Sequence, residues 1–260
     1  MDEVVDRNIQ EGNLSALARN GAFQFTDTFF PYTSGQIGPY YVQSIDVTKN
    51  GKDYKMACMH LALLVQKQRN KFDVISGGES RDWDFSNPVA TILELPHAKI
   101  YKDGKVLGAD VSGKNVAHVA DLNNEGSSPR DLWVPAIRKR EGNIEDIFFY
   151  VDRMEDGVQI MNDLGLRSHA VVLLDKVAWS YLRANNIIPL QVYTSLMRRM
   201  EDKDSWARGM LRSEGGFKRL LGLAIDPHNF LKARKVIFEG YLDMKEELHE
   251  RMSAKYGEKL

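Results

Sequence analysis

A single cysteine, Cys58, stands in 260 residues. That excludes an intrachain disulfide and any zinc site built from several thiolates. No apolar run approaches the roughly 20 residues that a membrane span needs, so no membrane partner is expected. Charge of one sign is equally scarce: 35 basic side chains balance 36 acidic ones, for a net −1. Without a basic surplus, nucleic acid is not an expected partner either. Internal repeats and low-complexity stretches are absent. The segment MDEVVDRNIQEG is acidic and amphipathic, unlike a secretory signal. A cytoplasmic protein is the expectation.

What is present alternates. Residues 2–20 read as a helix, 21–50 as an aromatic, β-rich segment, and 52–70 as a helix with Met56, Met59, Leu63 and Leu64 on its apolar face. Phe72–Ser76 reads as a short buried strand, and Asn87-Pro88 as the start of the next helix. His97–Tyr101 is a strand, followed by the hairpin-like KDGKVLGADVSGK and a strand at 115–121. Helix 128–140, strand 144–151, helix 155–164 closed by Gly165, strand 168–174 and helix 175–184 complete the series. Strands spaced by helical patterns of this length make βαβ units and a mainly parallel sheet of five or six strands. Right-handed crossovers place the strand-end loops on one side. Residues 185–260 read helix after helix, with charges of both signs that suit a solvated face. The fold class is therefore α/β with helical additions: a domain at 1–184, within which 1–50 form a helix and hood, and a helical extension at 185–260.

The densest information lies in NVAHVADLNNEGSSPRDLWVPAIRKREGNIEDIFFYVDRMEDG, residues 115–157. An apolar strand ends in Asp121 and breaks into a polar loop. Ser128-Pro129, with Asp131 soon after, is a helix-start signal. A loop between a strand end and a helix start offers unpaired N–H groups to an anion, usually a phosphate. A second strand, Ile147–Val151, delivers Asp152 and Arg153 to the same edge. Ligands bind at such carboxyl ends of parallel strands.

The order of these segments resembles the type I phosphoribosyltransferases, and more narrowly the orotate phosphoribosyltransferases. TSGQIGPYYV resembles that family's amino-terminal segment, and DVISGGES its pyrophosphate-holding strand and loop. VAHVADLNNEGSS sits where the family carries its phosphoribosyl-pyrophosphate motif. FFYVDRMEDG resembles the strand ending in Asp-Arg that contacts orotate, and LGLRSHAVVLLDKVAW the closing strand and helix. The resemblance runs from about residue 2 to 184 and leaves 185–260 uncovered. It implies transfer of a phosphoribosyl group from phosphoribosyl pyrophosphate to a pyrimidine base, with Mg²⁺ carried by the pyrophosphate substrate and no protein metal site. It also implies a homodimer.

Carried onto this chain, the resemblance gives Asp121 the ribose hydroxyls. It gives the 5′-phosphate to Asn124, Glu125, Gly126, Ser127 and Ser128. Gly78, Glu79, Ser80 and Arg81 receive pyrophosphate, Arg153 an acidic base, and Tyr40 and Tyr41 the substrate's aromatic face. Lys102 and Lys105 stabilise the leaving group. Several positions depart from the family. Two consecutive acids become Ala120-Asp121, and the threonine-rich loop becomes Asn123-Asn124-Glu125-Gly126-Ser127-Ser128. Glu125 beside a phosphate costs about 1 kcal/mol or more unless it points away. The long mobile loop shrinks to KDGKVLGADVSGK and has no histidine. Thr33 stands where a basic residue is expected.

Three readings follow. One is an active transferase. Another is a catalytically inactive relative that binds a nucleotide or phosphorylated ligand, or acts through dimer assembly. In the third, Arg81, Asp82 and Trp83 line a pocket for a different ligand. Plainer roles exist for each residue. Asp121 could cap a turn, and Asp152-Arg153 could brace the sheet edge. Tyr40 and Tyr41 could simply pack, and Lys102 and Lys105 could be solvated. His118, inside a buried strand, reads as a core or network histidine.

Overall fold

The computed structural model describes residues 6–68 and 71–256. The expectations for 2–5 and 69–70 lie outside the described residues. In chain order, α1 (Arg7–Arg19) precedes the antiparallel pair β1 (Phe23–Pro31) and β2 (Ile37–Val42). A 3-10 turn, Ser44–Lys49, leads into α2 (Gly51–Gln66). Then come β3 (Val74–Gly78), α3 (Trp83–Ile92), β4 (His97–Ile100), β5 (Val106–Gly108) and β6 (Asn115–Asn123). A π-turn, Pro129–Trp133, runs into α4 (Val134–Arg138), followed by β7 (Asn143–Asp152), α5 (Gly157–Asp163), β8 (Arg167–Leu173) and α6 (Lys176–Ala184). The helices α7 (Leu190–Glu201), α8 (Lys203–Arg212), α9 (Glu214–Ile225), α10 (Phe230–Lys235) and α11 (Lys245–Tyr256) complete the order.

Two compact units result, one of residues 6–22 and 43–182, the other of 23–42 and 183–256. The first contains a six-stranded sheet in the order β5-β4-β3-β6-β7-β8. Every pairing in it is parallel except β4 with β5, as the alternating pattern predicts. β6 and β7 are buried almost throughout, which is the signature of strands covered on both faces. On one face, Val74, Ile100, Val116, Ala120, Trp133, Ile137, Ile147 and Phe149 form a continuous core.

Two helix expectations need correction. The buried face of α2 is Asp53, Ala57, Cys58, Leu61, Ala62 and Val65. Met59 is 51% exposed and Leu63 39%, while Met56 and Leu64 are half-buried. Small side chains let this helix close onto the sheet, whereas periodicity had followed the large ones. α3 begins at Trp83, so Pro88 lies inside it rather than at its start. Proline has no N–H to return to the carbonyl four residues back. That carbonyl, on Asp84, accepts the Tyr54 hydroxyl from α2 instead. A neighbouring helix thus satisfies the group that the proline orphans.

The second unit has its own core. Phe29 and Ile37 from β1 and β2 pack with Leu211, Phe217, Leu220, Tyr241 and Leu248 from the helices. The Tyr241 hydroxyl accepts the Ile37 N–H at 3.3 Å and donates to Gln36 Oε1 at 3.0 Å. Residues 23–42, expected as a hood on the first domain, therefore share a core with the carboxy-terminal helices. Tyr40 is buried there, its carbonyl accepting the Tyr32 hydroxyl at 2.6 Å. The half-buried Tyr41 ring lies 6.5 Å from that of Phe30.

Candidate active site

The strands β3 and β6 are adjacent and parallel, so the loops that leave their carboxyl ends share one edge of the sheet. After β3 the chain passes through Gly78 and a cis Glu79–Ser80 peptide. A Cβ on Gly78 would strike Trp133 Nε1 and come within 2.7 Å of Asp82 Oδ2. Glycine there lets two side chains close on the backbone. The Glu79 N–H donates to the Ile100 carbonyl at 2.8 Å. Its carboxylate accepts the Lys102 N–H at 2.9 Å. Ser80 and Arg81 are exposed, with Arg81 Nη1 donating to Gln43 Oε1 at 3.2 Å.

Trp83 and Asp82 turn inward. Trp83 Nε1 donates to the Gly77 carbonyl at 2.9 Å, and its ring meets Tyr101 edge-on at 5.0 Å. Asp82 Oδ1 accepts the Asp121 N–H at 3.0 Å. Of the trio weighed as an alternative pocket, only Arg81 is left exposed.

Asp121 stands near the end of β6, where the pattern placed it. Its Oδ2 accepts the buried Ser44 hydroxyl at 2.8 Å. Ala120, by contrast, is part of the core. Beyond them, Asn123 Nδ2 donates to Asp152 Oδ2 at 2.9 Å, and Asn124 Oδ1 accepts Arg153 Nη1 at 2.8 Å. Glu125 is half-buried. Gly126 adopts a left-handed φ of 69°, a conformation natural to glycine. Its carbonyl accepts the Arg130 N–H at 3.1 Å, and Ser127 and Ser128 are exposed at the helix start. The first N–H groups of such a turn have no acceptor within the helix.

Arg153 is placed beside this loop but turned into the protein. It is 5% exposed and pairs with Glu155 at 2.9 Å as well as with Asn124. Burial pushes the Asp152 carboxyl up, while the Asn123 amide and the Met154 N–H oppose the shift. Together Asn123, Asn124, Asp152 and Arg153 tie the loop after β6 to the end of β7.

The expected cover is a tight hairpin. β4 and β5 pair antiparallel, and the Tyr101 N–H donates to the Lys105 carbonyl at 2.8 Å across the turn. Lys102 and Lys105 are both exposed on it. His118 is a network histidine: its Nδ1 lies 2.9 Å from Ser76 Oγ, and its ring stacks on Trp133 at 4.4 Å. Burial depresses its pKa to about 3. The residues that the motif reading left out of the site are Ser44 and Trp133. Neither carries a motif signal in sequence, and only tertiary folding brings them to the strand ends.

Among the described residues no group of three or more His, Cys, Asp or Glu side chains could hold an ion. Nor is any helix among the described residues long and apolar enough to cross a membrane.

No family model matches the chain. Against known proteins, the chain is 30% identical over 164 residues to the orotate phosphoribosyltransferase of Sulfolobus acidocaldarius. That match covers 60% of this chain and 81% of the relative. The chain belongs to the orotate phosphoribosyltransferase family. Solved structures agree on the fold. Leishmania donovani UMP synthase superposes with a TM-score of 0.64 at 20% identity, over 71% of this chain and 40% of that one. The orotate phosphoribosyltransferase of Francisella tularensis gives 0.61 at 19% identity, over 72% and 96%. Family membership supports a transferase of the phosphoribosyl class.

Proposed function

We propose that the protein transfers a phosphoribosyl group from phosphoribosyl pyrophosphate to a pyrimidine base such as orotate, releasing pyrophosphate. The observation that carries this reading is the Asp121 carboxylate at the end of β6, beside a polar loop that opens a helix. The ribose–pyrophosphate bond breaks as the ribose–base bond forms, through an oxocarbenium-like centre. Catalysis of such a step is positioning and charge stabilisation. Asp121 receives the ribose hydroxyls, and the 124–128 loop receives the 5′-phosphate. The 78–81 loop holds pyrophosphate, with Lys102 and Lys105 on the adjoining hairpin neutralising it. An acidic base reaches Arg153 by displacing Glu155.

A second reading, binding without transfer, is favoured by the cover. A hairpin closed across its own turn and tied to Glu79 has less reach than a long loop. Isothermal titration with phosphoribosyl pyrophosphate and Mg²⁺, followed by orotate and a turnover assay, separates the two. Binding with orotate-dependent pyrophosphate release is expected. Binding without release would establish the second reading, and no binding would overturn both for this ligand. Arg153→Ala tests the base: losing more affinity for an acidic base than for a neutral one supports direct contact, and equal losses make Arg153 a brace.

A further inference from the structure

Two of the buried acids among the described residues are met by guanidinium groups, Asp53 by Arg19 and Asp146 by Arg167. Asp121 instead takes a neutral hydroxyl: Ser44 Oγ donates to its Oδ2 at 2.8 Å. Both side chains are buried, with Ser44 1% exposed and Asp121 9%. A guanidinium neutralises the carboxylate that it holds. A hydroxyl holds the carboxylate by one hydrogen bond and leaves its charge for a ligand.

The hydroxyl stands on an anchored turn. The chain re-enters the first unit at Gln43. The Gln43 N–H donates to the Ala22 carbonyl at 2.9 Å, and the Gln43 carbonyl accepts the Asp46 N–H at 3.1 Å. Ser44 then opens the 3-10 turn Ser44–Lys49, whose Val47 is fully buried. Gln43 Oε1 also accepts Arg81 Nη1 from the loop after β3. Two adjacent residues thus reach both ligand loops, Gln43 the one after β3 and Ser44 the end of β6. The χ2 torsion of an aspartate is broad, so a carboxylate at a strand end has little orientation of its own. A buried donor on an anchored turn gives it one, and a carboxylate set in advance spares the ligand that ordering cost.

We propose that Ser44 is a positioning residue: its hydroxyl orients the Asp121 carboxylate at the end of β6 to receive the ribose hydroxyls of phosphoribosyl pyrophosphate. For the identity of that ligand the inference rests on the phosphoribosyl reading.

The test uses the full chain as wild type, Ser44→Ala and Ser44→Thr. Each is titrated with phosphoribosyl pyrophosphate and Mg²⁺ and, separately, with inorganic pyrophosphate and Mg²⁺. Ser44→Ala binds phosphoribosyl pyrophosphate about tenfold more weakly, as expected for a lost hydrogen bond to a charged group. Inorganic pyrophosphate has no ribose for Asp121 to hold, so its affinity stays within about twofold of wild type. Ser44→Thr returns a hydroxyl and recovers most of the loss. Equal affinity of wild type and Ser44→Ala for phosphoribosyl pyrophosphate overturns the positioning role and leaves the phosphoribosyl reading standing. A parallel loss for both ligands overturns it too, by making Ser44 a general support of the sheet edge, as does a threonine variant no better than the alanine one. If Ser44→Ala does not fold, Ser44→Cys, whose thiol is a weak donor, takes its place in the comparison. Failure of wild type to bind phosphoribosyl pyrophosphate overturns the phosphoribosyl reading, and the ribose role of Ser44 with it.

Discussion

The loops after β3 and β6 leave the same edge of the sheet, and both carry acids, yet the fold treats those acids in opposite ways. After β3, Asp82 is drawn inside because Gly78 leaves room for it and Asp121 supplies an amide donor. After β6, Glu125 stays half-buried just past two anchored asparagines, Asn123 and Asn124. The first loop is held by a packed Trp133 and by Asp82 on the Asp121 N–H, the second by amides and a buried Arg153. An acid's residue type does not tell which fate it meets. What decides is whether folding brings a hydrogen-bond donor to it.

The largest expected effect falls on the anchor of the second loop. Arg153→Ala removes a buried guanidinium that holds Glu155 and Asn124 and should cost about 3 kcal/mol in urea unfolding. A loss below about 1 kcal/mol would show that the loop is anchored elsewhere, and the contrast between the loops would break. Asp121→Asn should weaken phosphoribosyl pyrophosphate by at least about 100-fold in calorimetry, because charge-assisted bonds to the ribose hydroxyls go. Unchanged affinity would remove Asp121 from the site.

Gly78→Ala sharpens the other side of the comparison. The added methyl must push aside Trp133 or Asp82, at about 1–3 kcal/mol of overpacking. A melting temperature equal to wild type would mean that this loop is not tightly closed.

The acid limb of stability tests the strand floor beneath both loops. His118 and His97 are held neutral by burial, with pKa values near about 3 and about 4 against 6.5. The unfolded chain takes up these protons first, so stability falls as pH drops from 6.5 toward 3. His118→Phe, which keeps a ring on Trp133, should flatten that limb in melting curves; an unaltered limb would clear His118 of the effect. The smallest change expected is at Glu125. Removing its charge as Glu125→Gln should tighten phosphoribosyl pyrophosphate by about fivefold, near 1 kcal/mol. No change would mean that the carboxylate points away from the phosphate.

Much of the first unit was legible in the chain. The alternation from Val74 to Ala184 predicts the parallel sheet, since a strand buried on both faces must be apolar throughout and a crossover needs a helix. Asp121, Gly126 and Ser128 were readable as a strand end and a helix start because turn chemistry is local. Other features were not. The inner face of α2 rests on Ala57, Cys58 and Ala62, small residues that carry little periodic signal. Pro88 read as a helix start because the Tyr54 hydroxyl that rescues the Asp84 carbonyl lies thirty-odd residues away in sequence, on another helix. Residues 23–42 looked like part of the first domain because pattern reading follows chain order, whereas Phe29 and Ile37 follow the partners that bury them.

The sequence alone therefore determined the α/β class, the strand-end placement of Asp121 and the polar loop behind it, since these follow from local hydrophobic period and turn residues. Only the tertiary structure decided that Arg153 is tied to Glu155, that Ser44 reaches Asp121, and that Asp82 accepts the Asp121 N–H. Those are contacts between segments 2 to 77 residues apart, and a carboxyl's charge depends on the neighbours that folding brings to it.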